Sequence, residues 1–361
     1  RIEDTCKNDE EKMRAAVNYV KKIQWNETVS LVTSTSRPKE IQKDKSGNSG
    51  DINLMLVGLL KKLNFEAYPL AISTKSNGKL DVYTPSLGKL NYVLAVIKKG
   101  EDDFVLLDGT EKYLPWDVLP ERCLNEYGRI IDYDFGYWVE IPADEPEISF
   151  YYSDLDMNPD GSLEGKFSIR QENYASMDFK KEYFSFNSQE EYMRDFEKDH
   201  PGFEILNFAV NGINDPDIPC SQEYKVRIKN KANLIGEQIY LNPFIISLME
   251  SNPFVSDIRK YPIDFGKSRK YKYIANISLP DGYEVLELPR SANIVLPENA
   301  GKCSFMISSV SNRLMITYDF MINKPKFNQS DYELLKEFFS LSIKKQNELI
   351  VLKSKQYEKT N

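Results

Sequence analysis

The sequence predicts an α+β fold in which a mixed domain, residues 1–140, precedes an antiparallel β-sandwich domain, residues 141–361, that ends in a helix. Two amphipathic segments and a β-rich hairpin make up the first part. From Ile148 onward, short runs of alternating or β-branched and aromatic residues are separated by turn sequences, a pattern typical of a sandwich. The 361 residues are enough for two domains, each with its own core.

Two helices are predicted in the first domain. Asn8–Gln24 places apolar residues at helical spacing and has acidic residues in its first turn. Asp51–Asn64 carries a broad apolar stripe, which indicates a central helix packed by a sheet. Ser36–Asp51, between them, is polar and contains Pro and Gly, so we expect a loop there.

Strands and two further helices complete the prediction. Glu66–Thr74 is expected to be a strand, and Asn91–Thr110 a hairpin with a charged, Gly-containing turn. In the second domain, a helix is expected at Ser188–Lys198. A last helix closes the chain over "LLKEFFSLSIKKQNELIVL", where Ser330 and Glu333 have the spacing of a capping box.

Composition excludes several classes of function. The chain is 41% hydrophobic and 28% charged, with a formal net charge of −8, so a main role in nucleic-acid binding is not expected. Its apolar runs are too short to cross a bilayer, so no transmembrane segment is expected. The sequence begins at Arg1, and we expect that a targeting segment, or a further N-terminal domain of the same precursor, precedes it.

The chain contains a single histidine, His200, which stands beside a proline in a charged stretch and is predicted to be a solvated surface residue. Histidine is the usual general base near neutral pH and the commonest ligand of catalytic zinc. Most hydrolase and metalloenzyme mechanisms are therefore disfavoured, and no metal or cofactor is expected. Asp156–Gly161 matches the first half of a calcium loop, but Phe167 stands at its twelfth position, so we predict a turn.

The four cysteines, Cys6, Cys123, Cys220 and Cys303, are widely spaced and form no CxxC pair, which disfavours a zinc ribbon or a thioredoxin-type site. Buried free thiols and a disulfide such as Cys6–Cys123 both remain open. Cys123 lacks a histidine partner and is interpreted as a structural thiol or half of a disulfide rather than as a nucleophile.

Three short motifs carry a resemblance to a known family. They are the turn "KSGNSGD" before "INLMLVGLLKKLNFEAYP", the strand "NYV" at residues 91–93, and "LLDGT" at residues 106–110. Together they resemble the transglutaminase-like superfamily, whose papain-related, cysteine-proteinase-like core uses a Cys–His–Asp triad. The whole chain is similar to surface or periplasmic proteins of Bacteroidetes-type bacteria that join this core to β-sandwich domains.

The resemblance implies that Ser49 stands at the position of the cysteine, Tyr92 at that of the histidine and Asp108 at that of the aspartate. A hydroxyl is far harder to deprotonate than a thiol, and a phenol is a poor base near pH 7. Two of the three positions of this degenerate triad are therefore changed, and no catalytic residue is expected to be active.

The leading hypothesis is a catalytically inactive pseudoenzyme that is exported, periplasmic or on the outer surface, and that acts as a binding or scaffolding module. Its former cleft would bind a peptide, protein or glycan, or would be filled by side chains. One alternative is a protease-like hydrolase of amide or ester bonds that uses Ser49 with Asp108. Another is a purely structural module, which a plugged groove at Ser49 would favour.

Overall fold

The structure is a computed structural model that describes residues 6–84, 86–134 and 136–355. The chain divides into two compact units. Unit 1 contains residues 1–145 together with residues 215–217, and unit 2 contains residues 146–214 and 218–361. Nothing in the sequence pattern predicts that residues 215–217 belong to unit 1.

Unit 1 is a mixed α+β unit. Its helices are α1 (Asp9–Val20), α2 (Pro38–Asp44) and α3 (Ser49–Lys62). Its strands are β1 (Gln24–Trp25), β2 (Ser46–Gly47), β3 (Ala67–Ile72), β4 (Tyr92–Lys98), β5 (Phe104–Leu107), β6 (Tyr127–Ile130) and β7 (Trp138–Glu140). Strands β3 to β7 form an antiparallel sheet in the order β5-β4-β3-β6-β7, and β1 pairs with β2 in parallel.

The start of α3 differs from the prediction by two residues. The Asn48 side chain accepts a hydrogen bond from the Asp51 backbone N–H, and Asp51 accepts one from the Asn48 N–H. This reciprocal capping satisfies two backbone donors at the start of the helix, so that Ser49 and Gly50 already belong to it. The predicted loop at 36–51 also contains α2, which begins at Pro38, where a proline is tolerated because no helical N–H is needed.

Helix α3 packs against the sheet through its apolar stripe. Ile52, Leu56 and Leu60 are fully buried and belong to the same apolar cluster as Ala95 and Ile97 of β4. The predicted central helix and the predicted strand and hairpin are therefore present in the structure. This packing holds the first turn of α3 in a defined place relative to β4.

Unit 2 is richer in strands. Its helices are α4 (Asn173–Tyr183), α5 (Gln189–Asp199) and α6 (Tyr332–Gln346). Its strands are β8 (Glu147–Met157), β9 (Leu163–Glu172), β10 (Phe203–Asn211), β11 (Cys220–Ile228), β12 (Ala232–Ile235), β13 (Gln238–Leu241), β14 (Ile263–Asp264), β15 (Arg269–Ser278), β16 (Tyr283–Glu287), β17 (Ala292–Val295), β18 (Gly301–Val310), β19 (Arg313–Ile322), β20 (Lys326–Phe327) and β21 (Ile350–Ser354).

The strands of unit 2 form an eight-stranded sheet in the order β10-β11-β9-β8-β15-β19-β18-β17, a four-stranded sheet in the order β12-β13-β21-β16, and the pair β14-β20. Most of these pairs are antiparallel, as predicted, but β8 and β15 run parallel. The structure thus bears out an α+β fold, whereas the sandwich arrangement stays a prediction.

The structure differs from the predictions for unit 2 in three respects. Helix α4 is present although it was not predicted. The predicted last helix ends at Gln346, and Ile350–Ser354 is a strand that pairs with β13 and β16. The capping box before that helix is formed by Asn328 and Asp331 instead of Ser330 and Glu333, because the chain first makes a 3-10 turn there.

Two other sequence features can be placed. Residues 158–161 form the turn between β8 and β9, in which the Asn158 N–H donates to the Ser162 carbonyl. Among the described residues, no helix is both long and apolar enough to cross a membrane.

Candidate functional site

The Ser49 side chain lies in the first turn of α3 and is fully buried. Its Oγ accepts a hydrogen bond from the Ser30 N–H at 2.7 Å and donates one to the Ser30 carbonyl at 2.9 Å. The Ser49 N–H donates to the Thr28 carbonyl at 3.1 Å. The polar groups of Ser49 are therefore bonded to the backbone of a neighbouring segment, and none of them faces solvent.

That segment, residues 28–34, is called the strap below. Strand β1 precedes the strap and β2 precedes α3, and the parallel pairing of β1 with β2 brings the two following segments together. At the far end of the strap, the Ser34 N–H and hydroxyl donate to the two carboxylate oxygens of Asp51, at 2.8 and 2.7 Å. Pairing and hydrogen bonds thus lay the strap across the first turn of α3.

Gly50 makes this close approach possible. A Cβ atom added at Gly50 would lie 2.2 Å from the carbonyl oxygen of Val32 and 2.6 Å from its carbonyl carbon. Such distances are far inside van der Waals contact, so only glycine allows the strap backbone to lie against the helix here.

Tyr92 and Asp108 form the second part of the site. Tyr92 begins β4, and Asp108 directly follows β5, so the hairpin brings the two side chains together. The Tyr92 hydroxyl donates to Asp108 Oδ2 at 2.6 Å, and both side chains are buried. The single hydroxyl hydrogen of the phenol is thus used in a hydrogen bond to the carboxylate.

Two further residues complete the hydrogen bonding of Asp108. Asn53, one helical turn after Ser49, donates from Nδ2 to Asp108 Oδ2 at 2.8 Å. Its Oδ1 accepts from the Gly109 N–H, also at 2.8 Å. Thr110 donates both its N–H and its hydroxyl to Asp108 Oδ1. The carboxylate is thereby held by four donors, which is how a buried charge is accommodated at tolerable cost.

Arg122 covers this cluster. Its Nη2 donates to the Thr110 hydroxyl, and its Nη1 forms an ion pair with Glu111 at 2.5 Å. The guanidinium lies over the ring of Trp25 with its carbon 4.0 Å from the ring centroid, a favourable cation–π geometry. The Arg122 guanidinium near Asp108 is therefore already held by the side chains of Thr110, Glu111 and Trp25.

The electrostatics of the cluster disfavour acid–base chemistry. Burial, and secondly the charge of Asp108, hold the pKa of Tyr92 well above its ordinary value of 10.0. Burial likewise holds the pKa of the Cys123 thiol well above its usual range. Near neutral pH neither group is a base or a nucleophilic anion.

The three residues at the triad positions do not form one hydrogen-bonded relay. Tyr92 and Asp108 are bonded to each other, whereas the hydrogen bonds of Ser49 go to the strap. The contact between the two parts is indirect: the Trp25 indole N–H donates to the same Thr28 carbonyl that Ser49 binds, and the Trp25 ring stacks on Arg122.

Sequence reasoning did not find Asn53, Thr110, Arg122 or the strap. Asn53 did leave a signal, because it is a polar residue beside the apolar stripe of α3, one turn after Ser49. Thr110 lies within the "LLDGT" motif itself. Arg122 and the strap have no comparable signal, since their roles depend on contacts between residues distant in the chain.

The single histidine and the cysteines take structural positions. His200, predicted to be a solvated surface residue, is half-buried, and its ring stacks on Phe196 with centroids 4.2 Å apart. All four cysteines are thiols, so the disulfide considered from the sequence is not formed. Cys123, Cys220 and Cys303 are buried, and Cys6 is partly buried.

Comparisons with known proteins bear on the fold. Residues 237–352, from β13 to β21 of unit 2, match the family model of a domain of unknown function, DUF3858. A search of curated protein sequences gives no match. Among solved structures, a Parabacteroides distasonis protein described as a "putative protease" is similar over 98% of this chain, with a TM-score of 0.55 and 11% sequence identity. This chain spans about half of that protein, 53% of its length, so the likeness indicates a common fold only.

Proposed function

We propose that this chain is a catalytically inactive relative of the transglutaminase-like proteins, an exported module that serves a scaffolding or binding role. Unit 1 would be the transglutaminase-like domain, and unit 2 the β-sandwich domain with its C-terminal helix. One observation carries the proposal. The hydroxyl of Ser49, at the position of the nucleophile, is buried and is bonded both as donor and as acceptor to the Ser30 backbone.

The absence of a base at the second position supports the same conclusion. A nucleophilic serine needs a neighbouring group that takes its proton. Tyr92 instead keeps its proton and donates it in a hydrogen bond to Asp108, and its raised pKa keeps the phenol neutral near pH 7. A reaction through Ser49 would require the hydroxyl to leave Ser30 and to find a base that the described residues around it do not supply.

The closed state of the former cleft favours scaffolding over ligand binding there. A peptide, protein or glycan ligand would first have to displace the strap from α3. Export to the periplasm or the outer surface is part of the proposal through the family resemblance alone.

The alternative function is a hydrolase of amide or ester bonds that uses Ser49 with Asp108. The description of the Parabacteroides distasonis protein gives a reason to test it. The hydrogen bonds of Asp108 to Asn53, Thr110 and Tyr92 disfavour it, because none of them leads to Ser49.

The test combines a covalent probe with a substrate panel. The full chain is incubated with a fluorophosphonate, and modification is read by intact mass and peptide mapping, beside amide, ester and amine-transfer substrates. We expect no modification of Ser49 and no turnover that differs between the native chain and Ser49→Ala. Modification of Ser49, or turnover that is lost in Ser49→Ala and in Asp108→Asn, would overturn the proposal in favour of the hydrolase.

A further inference from the structure

We propose that the strap is an autoinhibitory contact: residues 28–34 cover Ser49 as an internal ligand and open as a unit while α3 stays folded. The open state exposes a row of backbone-binding groups that fits a polypeptide segment bent as the strap is. This inference rests on the proposed function only in treating Ser49 as a binding position instead of a nucleophile.

Hydrogen bonds, and little apolar burial, hold the strap in place. No residue of the strap is among the buried apolar residues of the chain: Val29 and Val32 have 36% and 66% of their surface exposed, and Leu31 is half-buried. Segments that bury little apolar surface belong to the parts of a protein that open at low free energy, well below global unfolding. The strap is thus able to open alone.

Helix α3 does not need the strap in order to stay folded. The capping box between Asn48 and Asp51 closes the helix start by itself, and Ile52 and Leu56 anchor the helix in the core of unit 1. When the strap leaves, Asp51 loses Ser34 but keeps the Asn48 N–H. The helix start therefore persists as a preformed surface.

Opening of the strap uncovers groups that bind polypeptide backbone. The Ser49 N–H binds one backbone carbonyl, and the Ser49 hydroxyl binds the N–H and the carbonyl of a single residue two positions further on. The Asp51 carboxylate then accepts an N–H and a hydroxyl from a serine four positions beyond that. The strap meets this spacing with bends at Leu31, Val32 and Ser34, so the groups fit a bent polypeptide segment that carries a Ser or Thr.

Gly50 adds a steric requirement to this surface. The backbone of any occupant must pass directly over Gly50, where the strap leaves no room for a Cβ atom. Gly58 lies in the same helix, and a Cβ added there meets nothing within 4 Å. The two glycines therefore provide a matched pair of Gly→Ala variants, of which only one changes the contact with the strap.

The first experiment is hydrogen exchange of the full chain, read at the Ser30, Ser34 and Ser49 amides and at β4 as the reference. In the native chain, we expect the three amides to exchange together and much faster than β4. Gly50→Ala should lower their protection by roughly tenfold or more, since the added methyl group excludes the strap, while β4 stays unchanged. Gly58→Ala should change neither. Strap amides that exchange only with β4, or that keep native protection in Gly50→Ala, would overturn the proposal.

The second experiment tests the occupant with a synthetic peptide of the strap sequence, residues 26–36, carrying a fluorophore. The host is Ser30→Pro, which removes the N–H bonded to Ser49 and so opens the strap without touching α3. We expect the peptide to bind this variant, to bind the native chain at least tenfold more weakly, and not to bind the double variant that also carries Gly50→Ala. Equal binding to all three, or none to Ser30→Pro, would refute the polypeptide occupant.

The same variant separates this inference from the proposed function. If Ser30→Pro exposes Ser49 and the fluorophosphonate then modifies it with turnover of a substrate, the strap is autoinhibitory and the inactivity proposal is wrong. If the strap amides open as expected and Ser49 stays unreactive, both proposals stand.

Discussion

The Tyr92 hydroxyl donates a hydrogen bond to Asp108 Oδ2 across 2.6 Å, and this contact gives Asp108 a structural role in the site. In a triad, the acid orients an imidazole that accepts the proton of the nucleophile. A phenol in the same place uses its only hydroxyl hydrogen in a hydrogen bond to the acid. It cannot act as a base toward the nucleophile. Tyr92 and Asp108 therefore stabilise the end of the hairpin, and the predictions below measure that role.

Tyr92→Phe is expected to destabilise the chain by about 1–3 kcal/mol, because it removes one donor from a buried carboxylate and leaves the ring in place. Urea unfolding followed by fluorescence measures the free energy of unfolding. The control is Tyr133→Phe, at a fully exposed tyrosine, which should change stability by less than about 0.5 kcal/mol. Equal effects of the two variants would contradict the structural role of the Tyr92 hydroxyl.

Asp108→Asn is expected to cost about 2–4 kcal/mol, even though the side chain keeps its size. The new amide N–H₂ would face groups that are themselves donors, since Asn53, Tyr92 and Thr110 all donate to Asp108. The exposed Asp134 supplies the control Asp134→Asn, measured by the same unfolding curves. A stable Asp108→Asn protein would indicate that the carboxylate is kept for chemistry and not for the fold.

The sequence predicted the elements that local patterns define. The apolar stripe of α3 and the alternating residues of the hairpin were sufficient to predict these elements, because a buried face shows as a regular spacing of apolar residues in the sequence. They were also sufficient to bring Tyr92 and Asp108 to the same hairpin. The α+β fold class follows from the same kind of signal, whereas the helix start at Ser49 does not, because the capping by Asn48 and Asp51 places it two residues before the predicted start.

The strap could not be predicted, because its conformation depends on partners elsewhere in the chain. Residues 28–34 show no periodicity, and their bonds go to α3, some twenty residues further on. The end of α6 was predicted wrongly for a similar reason. The run "ELIVL" is compatible with a helix, but Ile350–Ser354 pairs with β13 and β16, and these non-local bonds make it a strand. Tertiary pairing overrides local preference at such ambiguous apolar runs.

The cysteines give a prediction about reactivity. In the native chain, we expect one thiol to react quickly with a disulfide reagent, and that thiol is Cys6, which is only partly buried. Cys123, Cys220 and Cys303 are buried, and burial raises the pKa of each thiol, so little reactive thiolate forms. They should react only after unfolding.

The measurement is thiol counting in native buffer and in denaturant, without reductant. Cys6→Ser should abolish the fast phase and leave three thiols that appear on unfolding. A denatured count two thiols short would reveal a disulfide, and a second fast thiol in the native chain would contradict the burial of the other three.

Lys21 predicts how stability depends on pH. Its Nζ donates to the Leu114 carbonyl at 2.6 Å in a buried position, and burial lowers its pKa from 10.5 to about 8. Between about pH 8 and pH 10.5 the unfolded chain therefore binds more protons at this residue than the folded chain does. Under linkage, this makes the contribution of Lys21 to stability least favourable below pH 8 and more favourable as the pH rises toward 10.5.

The contribution is isolated by comparing the native chain with Lys21→Met at several pH values, because tyrosine ionisation affects both proteins alike. The stability of the native chain relative to Lys21→Met should increase by up to about 2 kcal/mol between pH 7 and pH 9.5. Lys22→Met, at the exposed neighbouring lysine, is the control and should show no such trend. If the difference between the native chain and Lys21→Met stays flat or falls as the pH rises, Lys21 is charged in the folded chain throughout that range, and its amine is better solvated than its buried position implies.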